Sequence, residues 1–199
     1  MNVAIATIDS PLGKLTVAAR GNLVCVVHFG PQTAALRSSL KRWYPDGPIE
    51  EVEDPAGAVG VLRRYFAGDL ESLDEIKVEL NGTTFQKNVW LALRTVKAGS
   101  TMSYAQLAKR VGSPAAVRAV GAANGANPVA VVLPCHRIIG SNGSLTGYGG
   151  GKLKAMQRDG LHVALDDMGM VESIHLCVFH WVLNDVFARI NNEGRYAKK

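Results

Sequence analysis

The residue whose type and setting best suit covalent chemistry is Cys135, in the run Pro134-Cys135-His136-Arg137. A thiol reacts as its thiolate, and adjoining cationic groups favour that form, moving a thiol pKa from about 8.5 into a range of about 3.5 to 7.5. His136 and Arg137 supply such groups. Pro134 holds the residue before it extended and donates no hydrogen bond, so the apolar run from Val129 to Leu133 is expected to end there as a strand and to expose Cys135 at its rim. The competing reading is a buried thiol acting as a small hydrophobe. Neighbours on a strand point to opposite faces, so His136 activates Cys135 only across a tight turn or through a water. Asn127, within Gly125-Ala126-Asn127-Pro128, is suited to hold such a turn through its amide, although an ordinary turn residue looks the same.

The three thiols, Cys25, Cys135 and Cys177, form no CxxC pair and leave one over, which supports neither a disulfide framework nor a zinc finger and points to a reducing compartment. Cys135 with His136, or His175, Cys177 and His180 near the C-terminus, lacks the paired spacing of a structural zinc site, so no metal is expected. His28 and His162 have no motif around them.

The elements that must position Cys135 begin with Ser103 to Gly112, a short helix stopped by glycine, and continue with a second helix from about Ala115 to Asn124. Joined through Gly112-Ser113-Pro114, the two have the shape of a helix-turn-helix, a weak signal by itself. The second helix has one long polar side chain, Arg118, among Ala115, Ala116, Ala119, Gly121, Ala122 and Ala123. So small a face either packs closely against a neighbouring helix or fits a narrow groove such as the minor groove of DNA. Gly147 to Gly151 reads as a flap over a ligand or as a plain surface loop.

Upstream, NVAIATID, KLTVAAR and NLVCVVHF are runs rich in Val, Ile and Thr, separated by Ser10-Pro11-Leu12-Gly13 and Gly21-Asn22, and predict a three-stranded meander. Helical spacing follows over Thr33–Trp43 and Ala56–Phe66, with a possible further strand over Ile76–Leu80. Asn81-Gly82 punctuates the chain, and from Thr83 a helix carries Phe85, Val89, Trp90, Leu93 and Val96 on one face. The expected architecture is α+β. An N-terminal domain, residues 1–80, has a three-stranded antiparallel sheet with helices, a mostly helical domain spans 81–163, and 164–199 form an atypical extension. With 199 residues, 47% of them hydrophobic, the chain is long enough to bury a core. Its net charge of +5 suits a polyanionic partner without requiring one. The N-terminus meets Asp9 before any long apolar stretch, so no signal peptide is expected.

Pro134-Cys135-His136-Arg137 followed by Ile138-Ile139-Gly140 resembles the acceptor-cysteine motif of the O6-alkylguanine-DNA alkyltransferases. Thr84-Phe85-Gln86-Lys87-Asn88-Val89-Trp90, Ser103-Tyr104-Ala105-Gln106-Leu107-Ala108, Arg118-Ala119-Val120-Gly121, Asn127-Pro128 and Leu145-Thr146-Gly147-Tyr148-Gly149-Gly150-Gly151 match that family in order and spacing. Ile8-Asp9-Ser10-Pro11-Leu12-Gly13 and Tyr65-Phe66-Ala67-Gly68 resemble its bacterial members, so the likeness covers residues 1 to about 151.

The resemblance implies a ribonuclease H-like N-terminal domain and an alkyl transfer in which Cys135 is the acceptor, His136 the water-linked base and Asn127 the holder of the turn. Arg118 would fill the base stack after guanine is flipped out through the minor groove, with Ala119, Gly121 and Ala122 lying in that groove. Backbone groups at Cys135 and Ile138 would accept from the guanine amine, Tyr104 would donate to its ring nitrogen, Tyr148 would wall the pocket, and the Gly149 amide would contact O6. The partner is double-stranded DNA containing O6-alkylguanine. No cofactor is required, because thiolate attack leaves a thioether with no route to turnover. A cytoplasmic monomer without membrane contact is expected.

The sequence departs from the family at its C-terminal end, where KLKAMQRDGLHV places His162 at the usual position of a relay glutamate. The apolar stretch from Val171 to Ile190 is also foreign to the family, and His175, His180, Asn184 and Asp185 interrupt it too often for a membrane span. An alternative is therefore a lesion-binding module that flips alkylated guanine with little or no transfer. A helix-turn-helix regulator fits less well, since the second helix offers one base-reading side chain and the chain has no dimerisation heptad.

Overall fold

The computed structural model describes residues 1–141, apart from Leu12 and Gly99. Strands β1 (Val3–Ser10), β2 (Gly13–Arg20) and β3 (Leu23–Phe29) form the antiparallel meander, with Val3 opposite Arg20 and Ser10 opposite Gly13 across the first pair. Both faces of this sheet are covered, which is why its strands read as nearly continuous apolar runs. One face sends Ala6, Ile8, Leu15, Val17 and Val24 into the main core. The other sends Val3, Ile5, Ala18 and Cys25 beneath a helix carrying Leu40.

That helix, α1 (Ala34–Trp43), starts at Thr33, whose hydroxyl accepts from the Leu36 amide at 3.1 Å. It returns the chain to a strand absent from the sequence expectation, β4 (Ile49–Glu51), which lies parallel to β1. The expected three-stranded antiparallel sheet is thus a four-stranded mixed sheet in the order β3-β2-β1-β4. Three residues, two of them glutamates, carry too little alternation to announce a strand.

Helix α2 (Ala58–Phe66) begins two residues later than expected, after a 3₁₀ turn over Pro55–Gly57. Asp54 sets its start, accepting from the amides of Val59 and Gly60 at 2.7 and 3.3 Å. The strand expected over Ile76–Leu80 reduces to a bridge at Val78, where Val24 donates to the Lys77 carbonyl and accepts from the Glu79 amide.

The second half contains α3 (Thr84–Leu93), β5 (Met102–Ser103), α4 (Tyr104–Arg110), α5 (Val117–Gly125) and β6 (Ile138–Ile139). Helices α3 and α4 each open with a capping box, Thr83 with Gln86 and Ser103 with Gln106. The two-residue strands β5 and β6 pair in parallel, Met102 opposite Ile138 and Ser103 opposite Ile139. The main core runs without a break from the sheet through α2 to Trp90, Leu93, Leu107, Val120 and Leu133. No helix among the described residues is long and apolar enough to cross a membrane.

Candidate active site

The stretch from Val129 to Leu133 is a turn and not the expected strand. Only Val129 bridges, to Val27 on β3, and Val131 takes a left-handed conformation, φ 71°, rare for a β-branched residue. Asn127 clasps the turn from inside: its Nδ2 donates to the Leu133 carbonyl at 2.8 Å while its Oδ1 accepts from the Val129 amide at 3.0 Å. The Leu133 amide returns to the Val129 carbonyl at 3.0 Å.

Beyond Pro134 the chain enters a 3₁₀ turn, Cys135–Arg137. Cys135 is consequently 9% exposed and packs in the main core, where the sequence expectation put it at an exposed rim. A proline fixes the backbone before it, and here that extended residue feeds a turn that folds inward. The half-buried His136 follows in the same 3₁₀ turn. Arg137 is buried, and its Nη1 donates to the Val96 carbonyl at 2.7 Å, tying the loop to the end of α3. A reagent reaching this thiol must be carried into the fold.

The β5–β6 ladder decides what faces the thiol. Tyr104 directly follows β5 and Ile138 opens β6, so pairing Met102 with Ile138 sets the start of α4 beside the Cys135 turn. Tyr104 is buried, and its ring crosses α5 where that helix has Gly121; a Cβ there would stand 3.8 Å from ring atoms Cδ1 and Cε1. Burial pushes the Tyr104 phenol above its ordinary value and the Cys135 thiol adds to this, while the Asn124 amide beside it pulls the other way. The phenol therefore keeps its proton at neutral pH and can donate it.

Asn124, 2% exposed, is the residue that sequence reasoning missed; it donates from Nδ2 to the Cys135 carbonyl at 3.2 Å. The available signal was its position on α5, in register with the core residues Val120 and Ala123, where an amide is out of place. At the end of the expected helix it passed for a terminal residue.

Helix α5 answers both readings of its small residues at once. Val120, Ala123 and Asn124 are buried, and the Ala123 carbonyl accepts from Trp90 Nε1 at 2.7 Å. Arg118, Ala119 and Ala122 are exposed and Gly121 is half-buried, which leaves a smooth outer face with one cation on it. Tyr148, Gly149, His162 and the 164–199 extension lie outside the described residues. Among the described residues no cluster of His, Cys, Asp and Glu could hold a metal ion.

A mixed sheet sharing one core with a helix pair, and a buried thiol under a small-residue helix, define a class of two-part α+β proteins with a reactive-cysteine loop. Family models place it further: residues 3–80 match the ribonuclease-like domain of 6-O-methylguanine DNA methyltransferase and residues 84–161 match its DNA-binding domain. The chain belongs to the 6-O-methylguanine-DNA methyltransferase family. It is 47% identical over 145 residues to the methylated-DNA–protein-cysteine methyltransferase of Mycobacterium tuberculosis, covering 73% of this chain and 83% of that one. The crystal structure of Mycobacterium tuberculosis O6-methylguanine methyltransferase is similar with a TM-score of 0.60 at 44% identity, covering 75% of this chain and 86% of the other. That of Mycobacterium tuberculosis OGT in complex with DNA is similar with a TM-score of 0.58 at 41% identity, covering 75% and 84%.

Proposed function

We propose that this protein repairs DNA by moving an alkyl group from O6 of guanine to Sγ of Cys135, once per molecule. The carrying observation is the burial of Cys135 behind a helix whose outer face is smooth and bears Arg118. A thiol so placed cannot reach a base inside a duplex, so the base must leave the stack and enter the protein. Helices α4 and α5 act as the helix-turn-helix. Ala119, Gly121 and Ala122 let α5 into the minor groove, and Arg118 fills the place the guanine leaves.

In the pocket the carbonyls of Cys135 and Ile138 accept from the guanine amine, and Tyr104 donates to the ring nitrogen. Tyr148 and Gly149 complete the enclosure. His136, through a water, takes the thiol proton. The thiolate then attacks the alkyl carbon: the S–C bond forms, the C–O6 bond breaks, and its electron pair goes to the guanine, which takes up a proton. The product is a thioether, which water does not cleave at useful rates, so the protein is a suicide enzyme. One lesion consumes one thiol, a stoichiometry that a monomer satisfies, and the bacterial relatives meet their DNA in the cytoplasm. The chain divides functionally into 1–80, which supports the reactive loop, 81–163, which binds DNA and accepts the alkyl group, and the extension 164–199.

Intact-mass measurement after mixing with duplex DNA containing O6-methylguanine tests this. The expected gain is one methyl group, mapped to the Cys135 peptide and absent in Cys135→Ser. Modification at Cys25 or Cys177 would overturn the assignment. Tight binding to the lesion with no gain in mass would establish the lesion-binding reading, which the histidine at position 162 favours.

A further inference from the structure

Tyr104 Oη and Asn124 Oδ1 are both buried without a hydrogen bond. Folded proteins rarely leave such atoms unmet, and those that persist belong to sites where a ligand or a constraint accounts for them. Both residues are more than nine-tenths buried, at 8% and 2% exposure, and both adjoin the Cys135 turn. An amide nitrogen carries two N–H groups and no available lone pair. One N–H of Asn124 is given to the Cys135 carbonyl at 3.2 Å. The side chain also adjoins the Tyr104 oxygen in the sense that favours the phenolate, which is an N–H directed at that oxygen. A phenol approached in this way cannot donate back to the same nitrogen, so its own proton is left to point elsewhere.

We propose that Asn124 is a positioning residue that holds the Cys135 carbonyl with one amide hydrogen and turns the Tyr104 hydroxyl with the other, so that the phenol proton faces the ring nitrogen of the flipped guanine. This rests on the function proposed above. Asn124 does not touch the reacting atoms; it acts through the two groups that grip the base. Leucine at this position removes both N–H groups. Aspartate keeps the shape but turns a donor into an acceptor, which captures the phenol proton for itself.

The test uses the full chain in single-turnover reactions with duplexes containing either O6-methylguanine or its 3-deaza analogue, in which the ring nitrogen is replaced by a C–H group. Asn124→Leu and Asn124→Asp are each expected to slow transfer from O6-methylguanine roughly tenfold at saturating protein, the effect of one lost directing hydrogen bond. On the 3-deaza analogue, which has nothing to receive the phenol proton, wild type and both variants are expected to agree within about twofold. Tyr104→Phe should slow the natural substrate similarly, and adding Asn124→Leu to it should slow it little further. Aspartate guards against misfolding, being the same size as asparagine. Equal losses on both substrates, or losses that multiply in the double variant, would show a merely structural residue and overturn the inference. A wild type that transfers nothing would instead overturn the proposed function, and this inference with it.

Discussion

Two of the three cysteines fall within the described residues, and both are buried, so burial does not separate the reactive thiol from the inert one. Their surroundings do. Cys25 lies in the apolar layer between the sheet and α1, its Sγ donating to the Ala18 carbonyl at 3.4 Å, and burial pushes its thiol up to about 11. Near neutral pH it should resist iodoacetamide in the folded protein and be labelled once urea unfolds the chain, a difference peptide mapping reads directly. A folded-state value raised above the ordinary 9.0 contributes stability that is whole below about 9 and lost as pH rises through about 11. Tyr44, also raised by burial and beside Cys25, titrates with it. Urea midpoints should therefore fall over that window, and Cys25→Ala should make the fall shallower; an unchanged slope would show that the thiol does not titrate in the fold. Residue motifs made Cys135, Asn127 and Tyr104 legible in the sequence. The burial of Cys135 was not, because it depends on the left-handed turn at Val131, and valine ordinarily signals extended chain.

At the scale of elements, the sequence disclosed what was capped and hid what was short. Thr83 with Gln86 and Ser103 with Gln106 mark two helix starts by chemistry visible in four residues. Strands β4, β5 and β6, of three, two and two residues, exist because distant segments bring them a partner. Ser103 belongs to both kinds, pairing with Ile139 through its backbone and capping α4 through its side chain. Ser103→Ala should cost about 1 kcal/mol in urea denaturation and also slow transfer, since Tyr104 is the next residue. Gly82 serves α3 from outside: a Cβ there would come within 2.6 and 2.7 Å of Trp90 ring atoms. Gly82→Ala should destabilise the fold by about 1–3 kcal/mol, and a midpoint equal to wild type would show that the ring moves freely aside. Arg118, exposed on α5, should matter only where a stack needs filling. Arg118→Ala is expected to impair repair of duplex DNA far more than reaction with free O6-alkylguanine base, and equal losses would remove it from the interface.

At the scale of the whole molecule, the chain's clearest punctuation, Asn81-Gly82, is not a boundary in its packing. The main core takes side chains from β1, β2 and β3 on one side of that dipeptide and from α3, α4, α5 and the reactive loop on the other. The backbone repeats the connection. On β3, Val27 donates to the Pro128 carbonyl and accepts from the Ala130 amide, both at 3.0 Å, so the sheet edge grips the turn that Asn127 closes and that leads into Cys135. Halves joined this way should lose structure together. Leu15, fully buried on β2, lies in that core although it belongs to the half without the thiol. Leu15→Ala should cost about 2–5 kcal/mol, the ordinary penalty for emptying a buried leucine site. If the core is one unit, hydrogen exchange governed by global unfolding should accelerate in peptides from α3 and α5 as much as in those from β1 to β3. Exchange that accelerates in the sheet and stays unchanged in the helices would show two independently stable units, and the sheet would then have no part in holding Cys135 in place.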